Sequence, residues 1–96
     1  MDETKLKELV KKRIRILAGP CENEEHIEYC IEKALAEAAD YCNLSGPEYF
    51  PRDAETCLAE YAAASYLLEA APYRPQWEDM RADAKISLRR FRRIRW

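Results

Sequence analysis

A chain of 96 residues holds one domain with a real but modest core. Hydrophobic residues at 48% and only two glycines exclude a disordered polymer, and no continuous apolar run is long enough to span a bilayer. The net charge of −2 conceals a division: residues 22–60 hold eleven acids against two bases, and residues 81–96 hold seven bases against one acid. This does not by itself indicate nucleic acid; it points to contact between an acidic middle and basic ends, across chains or with a separate acidic partner.

The N-terminal segment MDETKLKELVKK is charged and amphipathic and lacks the apolar centre of a signal peptide, so a soluble, intracellular protein is expected. The spacing predicts a first helix over 3–17, with Leu6, Leu9, Val10, Ile14 and Leu17 on one face. Lys5, Lys7, Lys11, Lys12, Arg13 and Arg15 fill the rest of its surface, as a solvated face or as a basic face against a neighbour. Gly19-Pro20 ends it, glycine suiting the left-handed position and proline being unable to continue.

A second helix is expected over 23–42. Ile27, Cys30, Ile31, Ala34, Leu35, Ala38, Tyr41 and Cys42 recur at steps of three and one, the mark of a single buried stripe. Asn23 is placed to cap it, and Glu24 and Glu25 fall in the first turn, where the helix dipole favours acid. This is the helix on which the others are expected to pack. Its only histidine, His26, sits among Glu22, Glu24, Glu25 and Glu28 and reads as an exposed side chain.

The loop NLSGPEYFPR follows, broken by Gly46-Pro47 and Phe50-Pro51, with Tyr49 and Phe50 expected to fold back as an aromatic plug. A third helix is predicted over 53–71, capped by Asp53, with Cys57, Leu58, Tyr61, Ala62, Ser65 and Leu68 as its stripe and Tyr66 and Leu67 off it. Ala62-Ala63-Ala64 gives a thin wall for close helix approach. Pro72 ends this helix, and Pro75 opens a fourth over 75–90, on which Trp77, Met80, Ala84, Leu88 and Phe91 recur every three or four residues. The expected architecture is all-α: one domain over residues 1–96, a small bundle of about four helices, with a basic tail over 91–96.

Chemistry is sparse. Both glycines stand alone before proline, so there is no phosphate loop. Carboxylates lie on polar faces, where nothing desolvates them. The four cysteines lack CxxC spacing and read as buried thiols; Cys21 with His26 fits no common zinc template, and a disulfide framework does not suit this helical chain. No catalytic, cofactor-binding or metal-ligating residue is assigned, no cofactor is expected, and the chain is not expected to be an enzyme.

The end of the chain resists a purely structural explanation. Arg89, Arg90, Arg92, Arg93 and Arg95 are interleaved with Phe91, Ile94 and Trp96. The segment either folds its apolar residues onto the bundle, inserts into an acidic or mixed groove on a partner protein, or binds nucleic acid.

The run of a lysine-rich leading helix (TKLKELVKKRIRI), an acidic-start helix (ENEEHIEYCIEKALAEAADYCN), a proline loop, an alanine/tyrosine helix (AETCLAEYAAASYLLEA) and a basic close resembles the small phage head–tail connector, or adaptor, proteins. The resemblance implies a helical bundle assembling as a ring, commonly a dodecamer, beneath the portal protein, in the virion neck, after assembly in the host cytoplasm. Such a ring extends the DNA channel without binding DNA specifically and presents a platform to a downstream neck or tail protein. It also implies that the C-terminal segment, Arg89 to Trp96 here, docks into the portal. The four cysteines and the arginine-rich end depart from many members of that family. The alternative from a different class is a small helical DNA-binding or regulatory module that uses its arginine-rich C-terminus.

Overall fold

Four consecutive residues of a helix cover nearly its whole circumference. In α3 (Glu55–Ala70), Tyr61, Ala62, Ala63 and Ala64 are all buried, together with Leu58, Ala59 and Leu67. A helix apolar all round belongs at a centre, and α3 is the one on which α1 (Glu3–Ala18), α2 (Glu24–Tyr41) and α4 (Pro75–Leu88) all pack. The computed structural model describes residues 3–19 and 24–93; among these the protein is an all-α bundle of four helices without strands.

This corrects the expectation that the second helix is the hub. The stripe on α2 is real, with Ile27, Cys30, Ile31, Ala34, Leu35, Ala38 and Ala39 buried. A stripe, however, marks a helix with one wet side, and α2 lies at the periphery. The expected stripe of α3 is corrected too: Leu67 is 3% exposed, whereas Cys57 and Leu68 are only partly buried.

In α1, Leu6, Val10 and Ile14 are buried and Leu9 is 40% exposed. The buried face is rotated toward Lys11, whose stem is covered and whose ammonium reaches out to Glu28 of α2 at 2.9 Å. α1 and α2 touch little through their backbones. They are joined instead by ion pairs: Lys11–Glu28, Lys7–Glu32 at 3.0 Å and Arg15–Glu24 at 3.7 Å. Arg13 reaches Glu60 of α3 at 3.5 Å. Much of the charge division in the sequence is therefore satisfied inside one chain, and four of the leading helix's cations face carboxylates of the acidic middle.

The helix ends are set by local chemistry. Gly19 adopts φ +88° and its N–H donates to the Arg15 carbonyl, as glycine after the first helix predicts. Asn43 takes φ 59° after α2; its N–H donates to the Asp40 carbonyl and the Leu44 N–H to the Ala39 carbonyl, the paired bonds of a Schellman close. Asp53 does not cap α3. It lies in a 3-10 turn (Arg52–Ala54) that leads into the helix, and Ala54 occupies the cap position without a side-chain bond. Asn23 and Cys21 lie outside the described residues. In the preceding loop Phe50 is buried as the expected plug, while Tyr49, at the end of the 3-10 turn Pro47–Tyr49, is 55% exposed.

Candidate docking site at the arginine-rich end

α4 delivers the arginines. Its buried residues, Trp77, Ala84 and Leu88, fix it along α3. After Leu88 the chain turns through a 3-10 segment, Arg89–Phe91, and runs on to Arg93. This stretch is held to the end of α2 at several points. The Cys42 thiol donates to the Leu88 carbonyl at 3.4 Å, the Arg93 N–H to the Cys42 carbonyl at 2.9 Å, and the Asn43 side-chain amide to the Arg93 carbonyl at 2.8 Å. Phe91 is partly buried and meets Phe50 edge to face at 6.5 Å.

The cations are thereby set out in order. Tyr41 is their centre: Arg89 Nε donates to its hydroxyl at 3.1 Å, and Lys85 and Arg92 lie 4.8 and 5.4 Å from its ring centroid. Arg90 lies 4.8 Å from the Phe91 centroid. Arg89, Arg90, Arg92 and Arg93 are exposed, and among the described residues none has a carboxylate partner. Burial pushes the Cys42 thiol up, against the opposing charge of Arg92. Of the predicted docking residues, Arg89, Arg90, Arg92 and Arg93 share this platform. Phe91 serves the chain's own core. Ile94, Arg95 and Trp96 lie outside the described residues. Sequence reasoning did not include Tyr41, Lys85 or Asn43, since the contacts that recruit them span more than forty residues.

Two other polar groupings sit between helices. Arg81 of α4 donates to Ser65 Oγ at 3.2 Å, to the Tyr61 hydroxyl at 2.9 Å and to Glu37 at 3.2 Å, with its guanidinium 5.0 Å from the Tyr61 ring centroid. Burial raises the Tyr61 pKa, and the Arg81 charge opposes the rise. This network ties α2, α3 and α4 together. The second grouping joins His26 and Cys30 of α2 to Glu69 of α3. The Cys30 thiol donates to Glu69 Oε2 at 3.3 Å and lies 3.7 Å from His26 Nε2, which is itself 3.7 Å from Glu69 Oε1. Burial, reinforced by Glu69, pushes the thiol up to about 11. The spacing of His26 and Cys30, one helical turn apart, is legible in the sequence; the arrival of Glu69 is not. Cys30, Cys42 and Cys57 are free thiols, the first two buried as expected.

Comparison with protein-family models, with curated proteins and with solved structures found no match to this chain.

Proposed function

We propose that this protein works as a structural connector, fitting against other macromolecules rather than transforming a small molecule, and that it docks through the arginine platform at the end of α4. The observation that carries this reading is the clasp of residues 88–93 on Cys42 and Asn43, which anchors the backbone that bears four arginines, none of them with an acidic partner among the described residues. Guanidinium groups held this way are ready for forked bonds to carboxylates without the entropic cost of ordering a free tail. Asp40, Glu48, Asp53 and Glu55, left without an ion pair among the described residues, supply the opposite sign for a heterologous contact between copies. Together with the resemblance to phage head–tail connectors, these features support a ring-forming adaptor that seats on a portal protein, prolongs the DNA channel and receives the next neck or tail component.

The test is light scattering of the chain alone and with the portal protein, beside an R89A/R90A/R92A/R93A variant. Ring formation or portal capture that is lost in the variant is expected. A chain that stays monomeric and ignores the portal at every salt concentration overturns the reading. A second reading, DNA binding, rests on the same unpaired guanidiniums, which suit phosphate as well as carboxylate. It predicts a salt-dependent DNA mobility shift lost in the same variant, and no shift at low salt ends it.

A further inference from the structure

The platform lies at the C-terminal end of α2. Some fifteen residues earlier, about 22 Å along the helix at 1.5 Å per residue, the His26–Cys30–Glu69 grouping has a different chemistry. We propose that these three side chains form a binding site for a divalent cation of the zinc class, with three protein ligands and a fourth position open.

The argument starts from size. In tetrahedral zinc sites the ligand atoms stand about 2.0–2.3 Å from the ion, which sets them roughly 3.3–3.6 Å from one another. Here the Cys30 sulfur and His26 Nε2 stand 3.7 Å apart, and Glu69 brings Oε2 to 3.3 Å from the sulfur and Oε1 to 3.7 Å from the nitrogen; with one ligand atom taken from each residue, all three lie within 4.8 Å of one another. A small turn of the half-exposed His26 and Glu69 side chains closes these atoms to the spacing an ion requires. At 3.7 Å the imidazole and carboxylate stand farther apart than an N–H···O hydrogen bond allows.

Ligand type narrows the ion. One sulfur and one imidazole nitrogen favour zinc or cobalt over magnesium or calcium, which prefer all-oxygen shells. On binding, the Cys30 thiol releases its proton to solvent, its hydrogen bond to Glu69 breaks, and the sulfur donates a lone pair to the metal; thiolate and carboxylate together balance the ion's two charges. Access is open, since the His26 and Glu69 side chains are 46% and 55% exposed. A groove of about 280 Å³ between α2 and α3, lined by Cys30, Glu69, Lys33, Ser65 and Arg81, gives room for water or a small anion at the fourth position. Because His26 and Cys30 lie in the first two turns of α2 and Glu69 in the last turn of α3, the ion would staple these two helices at the end away from the Arg81 network.

The full chain, reduced and freed of metal with a chelator, is titrated with Zn²⁺ and separately with Co²⁺. One ion per chain with micromolar or tighter affinity is expected, with a thiolate-to-cobalt charge-transfer band and a rise in Tm of about 5 °C or more at saturating zinc. H26Q and E69Q, both at half-exposed positions, should keep the helical circular dichroism and weaken binding at least about tenfold. C30A should remove the charge-transfer band, and C57A should leave affinity and band unchanged. Millimolar or weaker binding by the native chain overturns the proposal. So does affinity unaltered in H26Q and E69Q, or a band that survives in C30A. If C30A does not fold, the two exposed variants decide the matter alone.

Discussion

Asn43 does two things with one residue. Its backbone adopts the left-handed conformation that closes α2, and its amide holds the carbonyl of Arg93, fifty positions later. The two roles separate by substitution. N43G keeps the backbone at no steric cost and removes only the amide bond, so a loss of about 1 kcal/mol or less is expected. N43A also gives up asparagine's tolerance of the left-handed region, which alanine lacks, for a total of about 2 kcal/mol. Urea denaturation measures both. In N43G, hydrogen exchange at the Arg93 amide should also quicken, because its bond to the Cys42 carbonyl loses its neighbour; unchanged protection there would mean that the clasp does not hold the arginines. At this scale the sequence was legible where one residue type has few uses. Gly19 before proline announced its positive φ. Asn43 did not, since asparagine is common in loops and its partner is remote. Asp53 looked like a cap, but the 3-10 turn at Arg52–Ala54 moved the helix start past it.

Among the elements, α3 is where composition mattered more than periodicity. A stripe of apolar residues is easy to see, and it drew attention to α2. The stripe expected on α3 is only part of its buried surface, because Ala59, Ala63, Ala64 and Leu67 are covered as well, and a single stripe understates a helix that lies at the centre. The consequence is testable. Ala63 is wholly buried where α3 is wrapped by the other helices, so A63L must push a helix away and is expected to cost about 1–3 kcal/mol. The same change at exposed Ala36 of α2 should stay within about 0.5 kcal/mol. Equal effects at the two sites, measured by thermal or urea unfolding, would remove α3 from the centre. Helix existence and type were legible throughout, and the boundaries moved by only a residue or two, because prolines and Gly19 punctuate the chain. Which helices touch was not legible, since that depends on the burial of all four faces together.

For the whole molecule, the charge pattern had suggested contact between chains, yet the leading helix uses three cations on α2 and one on α3 of the same chain. The arginines of the C-terminal end are the densest group of cations left without a carboxylate among the described residues, which is why the docking proposal rests on them and not on the net division of charge. The internal pairs give the fold a pH dependence whose direction follows from two groups. The hydrogen bond from Lys11, followed by its charge, holds the Glu28 carboxyl below its ordinary 4.5, and the same bond raises Lys11 above its ordinary 10.5. The unfolded chain binds the Glu28 proton more readily than the folded one, so this pair's stabilisation is present above about pH 4.5 and is lost as pH falls through the lowered folded value. On the alkaline side it is present below pH 10.5 and is lost as pH climbs through the raised Lys11 value. Replacing Lys11 with methionine keeps the covered stem but removes the charge, returning Glu28 toward its ordinary range. Stability of K11M measured from pH 3 to 7 should therefore fall less steeply on the acid side than that of the native chain. An identical acid slope would show that the Lys11–Glu28 pair contributes nothing to fastening α1, leaving the buried Leu6, Val10 and Ile14 and the pairs of Lys7, Arg13 and Arg15 to hold it.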